Sequence, residues 1–351
     1  MRDDVKGMGA ALGAAALFGA GAPLSKPLVA DARPLAISAL LYLGAGVGLA
    51  ALPHALPALR ARPTETPLRR SDAGLLIAII VCGGILGPLL MLTGLSRTSG
   101  LVGALVLNLE APLTMLLAVL VFGEHVSTRE AGAAGVILAG VVVLALDGSQ
   151  VGSQPIGIAA IAGACLCWAL DNNLTQRLSL RDPIAVARIK SLGAGAMSLL
   201  LTILLGERLP TVARVVPALL LGLFSYGLSL VLAVYAMRLL GAAREAALFA
   251  VAPFVGALVS VPVLGDRIGP RELVAAMVLS AGVFGLIRAQ HAHVHSHDEL
   301  EHEHGHVHDE HHQHGHTSED PAWEPHAHPH RHDALRHAHA HRSDVHHRHR
   351  H

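Results

Sequence analysis

Four ionisable residues lie inside apolar stretches of the chain: Glu110, Asp171, Arg188 and Lys190. A charge there is costly, so each is a candidate for binding or carrying charge. Together they would suit a polar solute. Arg188 or Lys190 would hold its carboxylate or phosphate, and Glu110 or Asp171 would hold an amine or carry a coupling proton. A carboxyl surrounded by hydrocarbon keeps its proton more readily than one in water, which suits a proton carrier. Asn172 follows Asp171, and Ser225, Tyr226 and Ser229 would add hydrogen bonds from a later stretch. The plainer reading pairs Asp171 with Arg188 or Lys190 as a structural ion pair and leaves Glu110 inert. Lys26 and Glu245 lie near the ends of apolar stretches and are expected to snorkel to the headgroups.

A second constellation lies at the end of the chain, where residues 291–351 hold 23 of the 25 histidines. The candidate ligands are His291, His293, His295, His297, His302, His304, His306, His308, His311, His312, His314 and His316. Alternation such as His291-x-His293-x-His295-x-His297 sets imidazoles on one side of an extended strand, and neutral imidazole suits Zn²⁺, Ni²⁺, Co²⁺ or Cu²⁺. The protease-like spacing His302-Glu303-x-x-His306 contains Gly305 and has no amphipathic helix around it, so it is read as coincidence. The segment has too few apolar residues to offset its ordering entropy and is expected to be disordered.

The elements that carry these residues follow from composition. Apolar residues make up 52% of the chain and charged residues 15%, with a mean hydropathy of +0.50. An ordinary soluble domain carries about 25% charged residues, so this chain lacks the polar surface to face water on all sides. Ten apolar segments are long enough to cross a bilayer, at about 7–28, 34–54, 73–94, 99–122, 130–147, 155–176, 183–205, 215–237, 242–264 and 270–289. Pro112 and Pro253 fall inside spans four and nine, where they are expected to free a carbonyl and bend the helix. GxxxG occurs at Gly9–Gly13 and Gly83–Gly87 and permits close helix approach. Cys82, Cys165 and Cys167 all lie in spans and read as buried thiols. Basic residues favour both termini in the cytoplasm.

The chain also repeats itself. Pro34 matches Pro183, LGAG at 43–46 matches LGAG at 192–195, Pro112 matches Pro253, Gly123-Glu124 matches Gly265-Asp266, and Glu130 matches Glu272. The charged candidates break this symmetry: Glu110 stands opposite Val251, and Arg188 and Lys190 stand opposite Ala39 and Leu41. The spans form two groups of five. Because five is odd, the second copy enters the membrane from the opposite side. Such inverted repeats usually build carriers with a solute site between the halves.

The five-plus-five pattern, the Ala-Pro step in spans four and nine, the Gly-Glu and Gly-Asp pairs that close them and the glycine-rich spans five and ten resemble the EamA family of the drug/metabolite transporter superfamily. The stretch CWALDNNLTQ and the histidine-rich end resemble one subgroup of it. The resemblance implies a carrier fold over about residues 7–289 and leaves the solute open.

The expectation is therefore an all-α integral membrane protein with ten transmembrane helices as a 5+5 inverted repeat. Residues 1–148 form the first repeat, 149–289 the second and 290–351 a cytoplasmic tail. The chain would reside in the plasma (inner) membrane as a secondary transporter, running as an exporter, for a small polar organic solute. It needs no cofactor, and the tail binds Zn, Ni, Co or Cu ions. Two alternatives are a divalent-metal efflux carrier fed by the tail and a membrane-anchored metal storage or sensing protein. No nucleotide-binding loop or catalytic motif marks an enzyme. Expected partners are the solute or ion and the lipid bilayer, with no nucleic acid; a homodimer is an option.

Overall fold

The computed structural model describes residues 2–30, 33–55, 68–122, 126–145, 153–175, 178, 181–240 and 248–288, together with four short strands between 291 and 341. Among the described residues, nine helices are long and apolar enough to cross a membrane: α1 (Val5–Val29), α2 (Pro34–Ala51), α3 (Arg70–Leu95), α4 (Gly100–Val121), α5 (Thr128–Ala145), α6 (Pro155–Thr175), α7 (Ile184–Leu204), α8 (Val212–Ala236) and α10 (Pro270–Arg288). Between the last two lies α9 (Ala252–Leu264), apolar but shorter. The chain is thus a multi-pass helical membrane protein.

Helix ends are set locally. Asp182 caps α7, accepting hydrogen bonds from the Ile184 and Ala185 amides at 2.9 and 3.1 Å ahead of Pro183. Ser127 and Glu130 form a reciprocal box at the start of α5. At the start of α10, Glu272 accepts from the Gly269 amide at 3.0 Å. The sequence match between Glu130 and Glu272 is thus a match of cap roles.

The packing is two-fold in pattern. Neighbours are α2 with α7, α4 with α9 and α5 with α10; α1 also meets α8 and α9, as α6 meets α3 and α4. Exchanging helices one to five for six to ten leaves these pairings unchanged. The self-equivalent pairs run antiparallel. Gly46 faces Leu192 while Gly195 faces Leu43, and Gly140 faces Leu279 while Gly282 faces Ile137. Lipid tails are as apolar as leucine, so small residues that bring backbones together hold such pairs. Gly222 on α8 rests against the Leu41 backbone of α2, a spot where a Cβ has no room.

The expected bends at Pro112 and Pro253 are interruptions placed just before each Ala-Pro step. Proline has no N–H and its ring crowds the carbonyl four residues back. In α4 the chain tightens to a 3₁₀ turn at Leu107–Leu109 and restarts as helix at Glu110, which leaves Pro112 in a first turn where it is tolerated. Ahead of α9 a turn at Ala250–Val251 precedes Ala252-Pro253. The sequence-expected start of span nine near 242 lies outside the described residues.

Two further interruptions occur at equivalent depths. α3 widens to a π-helix over Ile80–Leu86, and α8 does so over Gly222–Leu228. In the tail, β1 (His291–His297) pairs antiparallel with β4 (Leu335–His341), and β2 (Leu300–His306) with β3 (His326–His332). Two-stranded ribbons are at best marginal in water, so they add no core to the helical fold.

Candidate functional site

The charged candidates gather where α3, α4, α6 and α7 meet, with one exception. Asp171 on α6 is 3% exposed and forms an ion pair with Lys190 on α7. Its other carboxylate oxygen accepts from the Thr175 hydroxyl at 3.3 Å. Glu110 is the first residue of the second half of α4, and its Oε1 accepts from Asn172 Nδ2 at 2.8 Å. Asn173 fastens α6 to α4 by donating to the Thr114 carbonyl at 3.1 Å.

Arg188 stands apart. It lies two residues from Lys190, about 200° around the helix. It shares the stripe of Leu192 and Gly195 that packs on α2, and it makes no hydrogen bond or ion pair among the described residues. The expected four-charge cluster is therefore two carboxylates and one ammonium.

The cluster is seated on glycines. A Cβ at Gly83 would land on the Asp171 carboxylate, and one at Gly87 on the Trp168 indole. The GxxxG spacing at Gly83–Gly87 is the groove in α3 that receives the functional face of α6. Directly at this groove, the Gly83 carbonyl accepts two side-chain hydrogen bonds, from Tyr42 Oη at 2.9 Å and Trp168 Nε1 at 3.0 Å. The ring of Tyr42 lies 5.6 Å from that of Tyr226, which meets Phe18 edge-on at 6.0 Å. Tyr42 is within electrostatic reach of both Asp171 and Glu110. Tyr226 thus belongs to the site wall, and no hydrogen bond holds its hydroxyl among the described residues.

Exposure shows where the cluster opens. The lipid-facing stripe of α6 includes Ile156, Ala159 and Leu166, all exposed. Asn172 lies about 150° from that stripe, on the same face as buried Ile161, Cys165 and Trp168, yet it is exposed. The Asn172 end of the cluster is therefore accessible from outside the protein, on the side of the α6 C-terminus. The opposite end is tied. Lys26 Nζ donates to the Leu95 carbonyl at 2.7 Å and to that of Thr98, and the Asp266 carboxylate accepts from the Leu101 amide at 2.8 Å. Lys26 therefore caps the end of α3 rather than snorkelling, because free carbonyls at a helix C-terminus attract a cation. Glu245 lies outside the described residues.

Sequence reasoning missed Tyr42, Trp168 and Gly83. A signal was present: the chain has three tyrosines and two tryptophans, and Tyr42, Tyr226 and Trp168 all gather here. All three cysteines are free thiols, but only Cys165 is buried, near the Val106 and Leu107 carbonyls of the α4 break; Cys82 and Cys167, expected to be buried, are half-buried on the faces of α3 and α6. Among the described residues no three His, Cys, Asp or Glu side chains come together as a metal site. Of the tail histidines, His291, His293, His295, His297, His302, His304 and His306 are placed only as strand backbone, and His308, His311, His312, His314 and His316 lie outside the described residues.

A two-fold helical bundle with charge buried at interrupted spans is a membrane-carrier architecture. The model of the EamA-like transporter family matches residues 5–146 and again 155–288, and the chain belongs to that family. An uncharacterised transporter of Methanothermobacter thermautotrophicus is 29% identical over 282 residues, spanning 76% of this chain and 82% of that one. A chain of known crystal structure superposes with a TM-score of 0.58 at 18% identity, covering 82% of this chain and 99% of its own; this likeness shows the fold. Family and relative point to a transporter rather than an enzyme.

Proposed function

We propose that this transporter is a secondary carrier that exports a small polar organic solute by alternating access, with both termini in the cytoplasm of the inner membrane. The observation that carries the reading is the buried pair Asp171–Lys190 beside Glu110–Asn172, of which Asn172 is exposed. With both carboxylates ionised, the cluster has one negative charge in excess. That favours a proton or the ammonium group of a solute at Glu110, while Lys190, released from Asp171, receives an anionic group. Arg188 has no part in this reading, since it faces α2.

The tail is proposed to bind Zn²⁺, Ni²⁺, Co²⁺ or Cu²⁺ and to regulate the carrier or buffer metal beside it. Bound cations would make it more positive and draw it to the anionic inner leaflet. The metal-efflux alternative rests on the tail alone, because the spans offer hard oxygen ligands that suit these ions poorly.

The test is flux in proteoliposomes, with a proton gradient, a panel of amino acids and other amine-bearing solutes, and radioactive Zn²⁺, Ni²⁺ and Co²⁺ in parallel. Organic flux that Glu110→Gln abolishes, with the protein still in the membrane, supports the reading. Full gradient-driven flux in that variant refutes Glu110 as the proton carrier, and metal flux without organic flux replaces the reading with metal efflux.

A further inference from the structure

The π segment of α3 leaves a specific backbone atom without a partner. In a regular helix the Gly83 carbonyl would accept from the Gly87 amide, but that amide donates to Cys82 instead. The next donor, which a π turn would supply, is residue 88, and Pro88 has no N–H. A bare carbonyl at this depth costs free energy comparable to a lost hydrogen bond. Tyr42 from α2 and Trp168 from α6 satisfy it. The equivalent carbonyl of the second half is Ser225. There the Ser229 amide likewise skips to Phe224, and Ser229 supplies its own hydroxyl to Ser225 O at 2.5 Å. One half therefore closes its interruption within the helix, and the other closes it with side chains from two neighbouring helices.

Those two donors are not arbitrary neighbours. Trp168 is one turn from Asp171, whose carboxylate lies on the Cα of Gly83. Tyr42 reaches the other half: its ring packs on Tyr226, inside the second π segment, and the residue before it, Leu41, touches Gly222 at the start of that segment. A shift of either π segment must move Tyr42, and a shift of Tyr42 must break or remake its bond to the carbonyl under Asp171.

We propose that Tyr42 is a positioning residue that couples the two π segments and, through the Gly83 carbonyl, sets the Asp171 carboxylate against Lys190. Motion in the second half is thereby transmitted to the charged pair in the first. Reciprocity follows, since coupling between two elements acts equally in both directions. The proposal concerns how the pair is held and does not depend on the solute, so its test uses none.

The experiment is amide hydrogen exchange of the full chain in lipid nanodiscs, read by peptides over 80–88 and 222–230, for wild type, Tyr42→Phe and Tyr226→Leu. Tyr42→Phe keeps the ring and removes the hydroxyl; it is expected to speed exchange over 80–88 about five- to tenfold, the effect of one lost hydrogen bond. Tyr226→Leu changes no residue of the 80–88 segment and no hydrogen bond to it among the described residues, yet is expected to speed exchange over 80–88 as well as 222–230. Tyr235→Phe, on an exposed tyrosine of α8, serves as the control and leaves 80–88 unchanged. Acceleration confined to 222–230 in Tyr226→Leu overturns the coupling. No change over 80–88 in Tyr42→Phe overturns the positioning role. Uniform acceleration along the chain in either variant means general loosening and overturns both. Should Tyr226→Leu not assemble, Tyr226→Met provides the same comparison, since it too removes the ring that packs on Tyr42.

Discussion

Replacing Lys190 by methionine removes the only cation paired with Asp171 among the described residues and leaves a nearly isosteric apolar stem. The Asp171 side chain is 5% exposed and that of Lys190 21%. Without the ammonium, the carboxylate retains one neutral hydrogen bond, from Thr175 at 3.3 Å. Breaking a buried pair by deleting one partner costs about 3–5 kcal/mol, because a charge stays buried without compensation. The partial exposure of Lys190 lets water reach one side, which sets the expectation near the lower bound, about 3 kcal/mol. For a chain of this size that is a fall in melting temperature of about 5–10 °C. Asp171→Asn strands the ammonium and should cost somewhat less, because Lys190 has a longer stem with which to reach water. The double variant Asp171→Asn/Lys190→Met removes both charges together and should melt within a few degrees of the parent, since a buried pair contributes little net stability over neutral packing. The assay is thermal unfolding of the full chain in lipid nanodiscs, arranged as a double-mutant cycle. A coupling near zero, with the double variant as destabilised as the two singles summed, would refute the claim that these side chains act as one desolvated pair.

Other outcomes follow from the same geometry. Gly83→Ala puts a methyl group on the Asp171 carboxylate and should cost about 1–3 kcal/mol in the same melting assay, whereas Gly74→Ala, with open space at its Cβ, should be neutral or slightly stabilising. Glu110→Gln should leave membrane insertion intact and abolish proton-coupled flux in proteoliposomes. Ending the chain after Arg288 should remove high-capacity Zn²⁺ binding, measured by titration calorimetry, while leaving the melting temperature of the helical bundle unchanged; retained capacity would place the metal sites elsewhere.

Much of the site was legible in sequence because burying charge in hydrocarbon is costly. Glu110, Asp171 and Lys190 stand out against their apolar neighbours, and each takes part in the cluster. Asn172 was legible by adjacency. Arg188 was legible as an anomaly but not as to direction: its register on α7 turns it toward α2. Tyr42 and Trp168 were not legible, since an aromatic side chain within a span reads equally as packing. What gives them a role is an acceptor on another helix, and that acceptor exists because Pro88 sits five residues after Gly83.

The amino-acid sequence by itself determined that the chain lies in a membrane as an all-helical protein, and where proline would disturb its helices. Composition, segment length and missing amide protons are local properties, and hydrocarbon enforces them strictly. Tertiary structure alone decided which cation answers Asp171, that a glycine groove on α3 holds the carboxylate, that Lys26 caps a helix end, and that one tyrosine bridges the two π segments. Those depend on helix rotation and on contacts between residues some 20 to 180 positions apart, which are fixed only once the bundle packs.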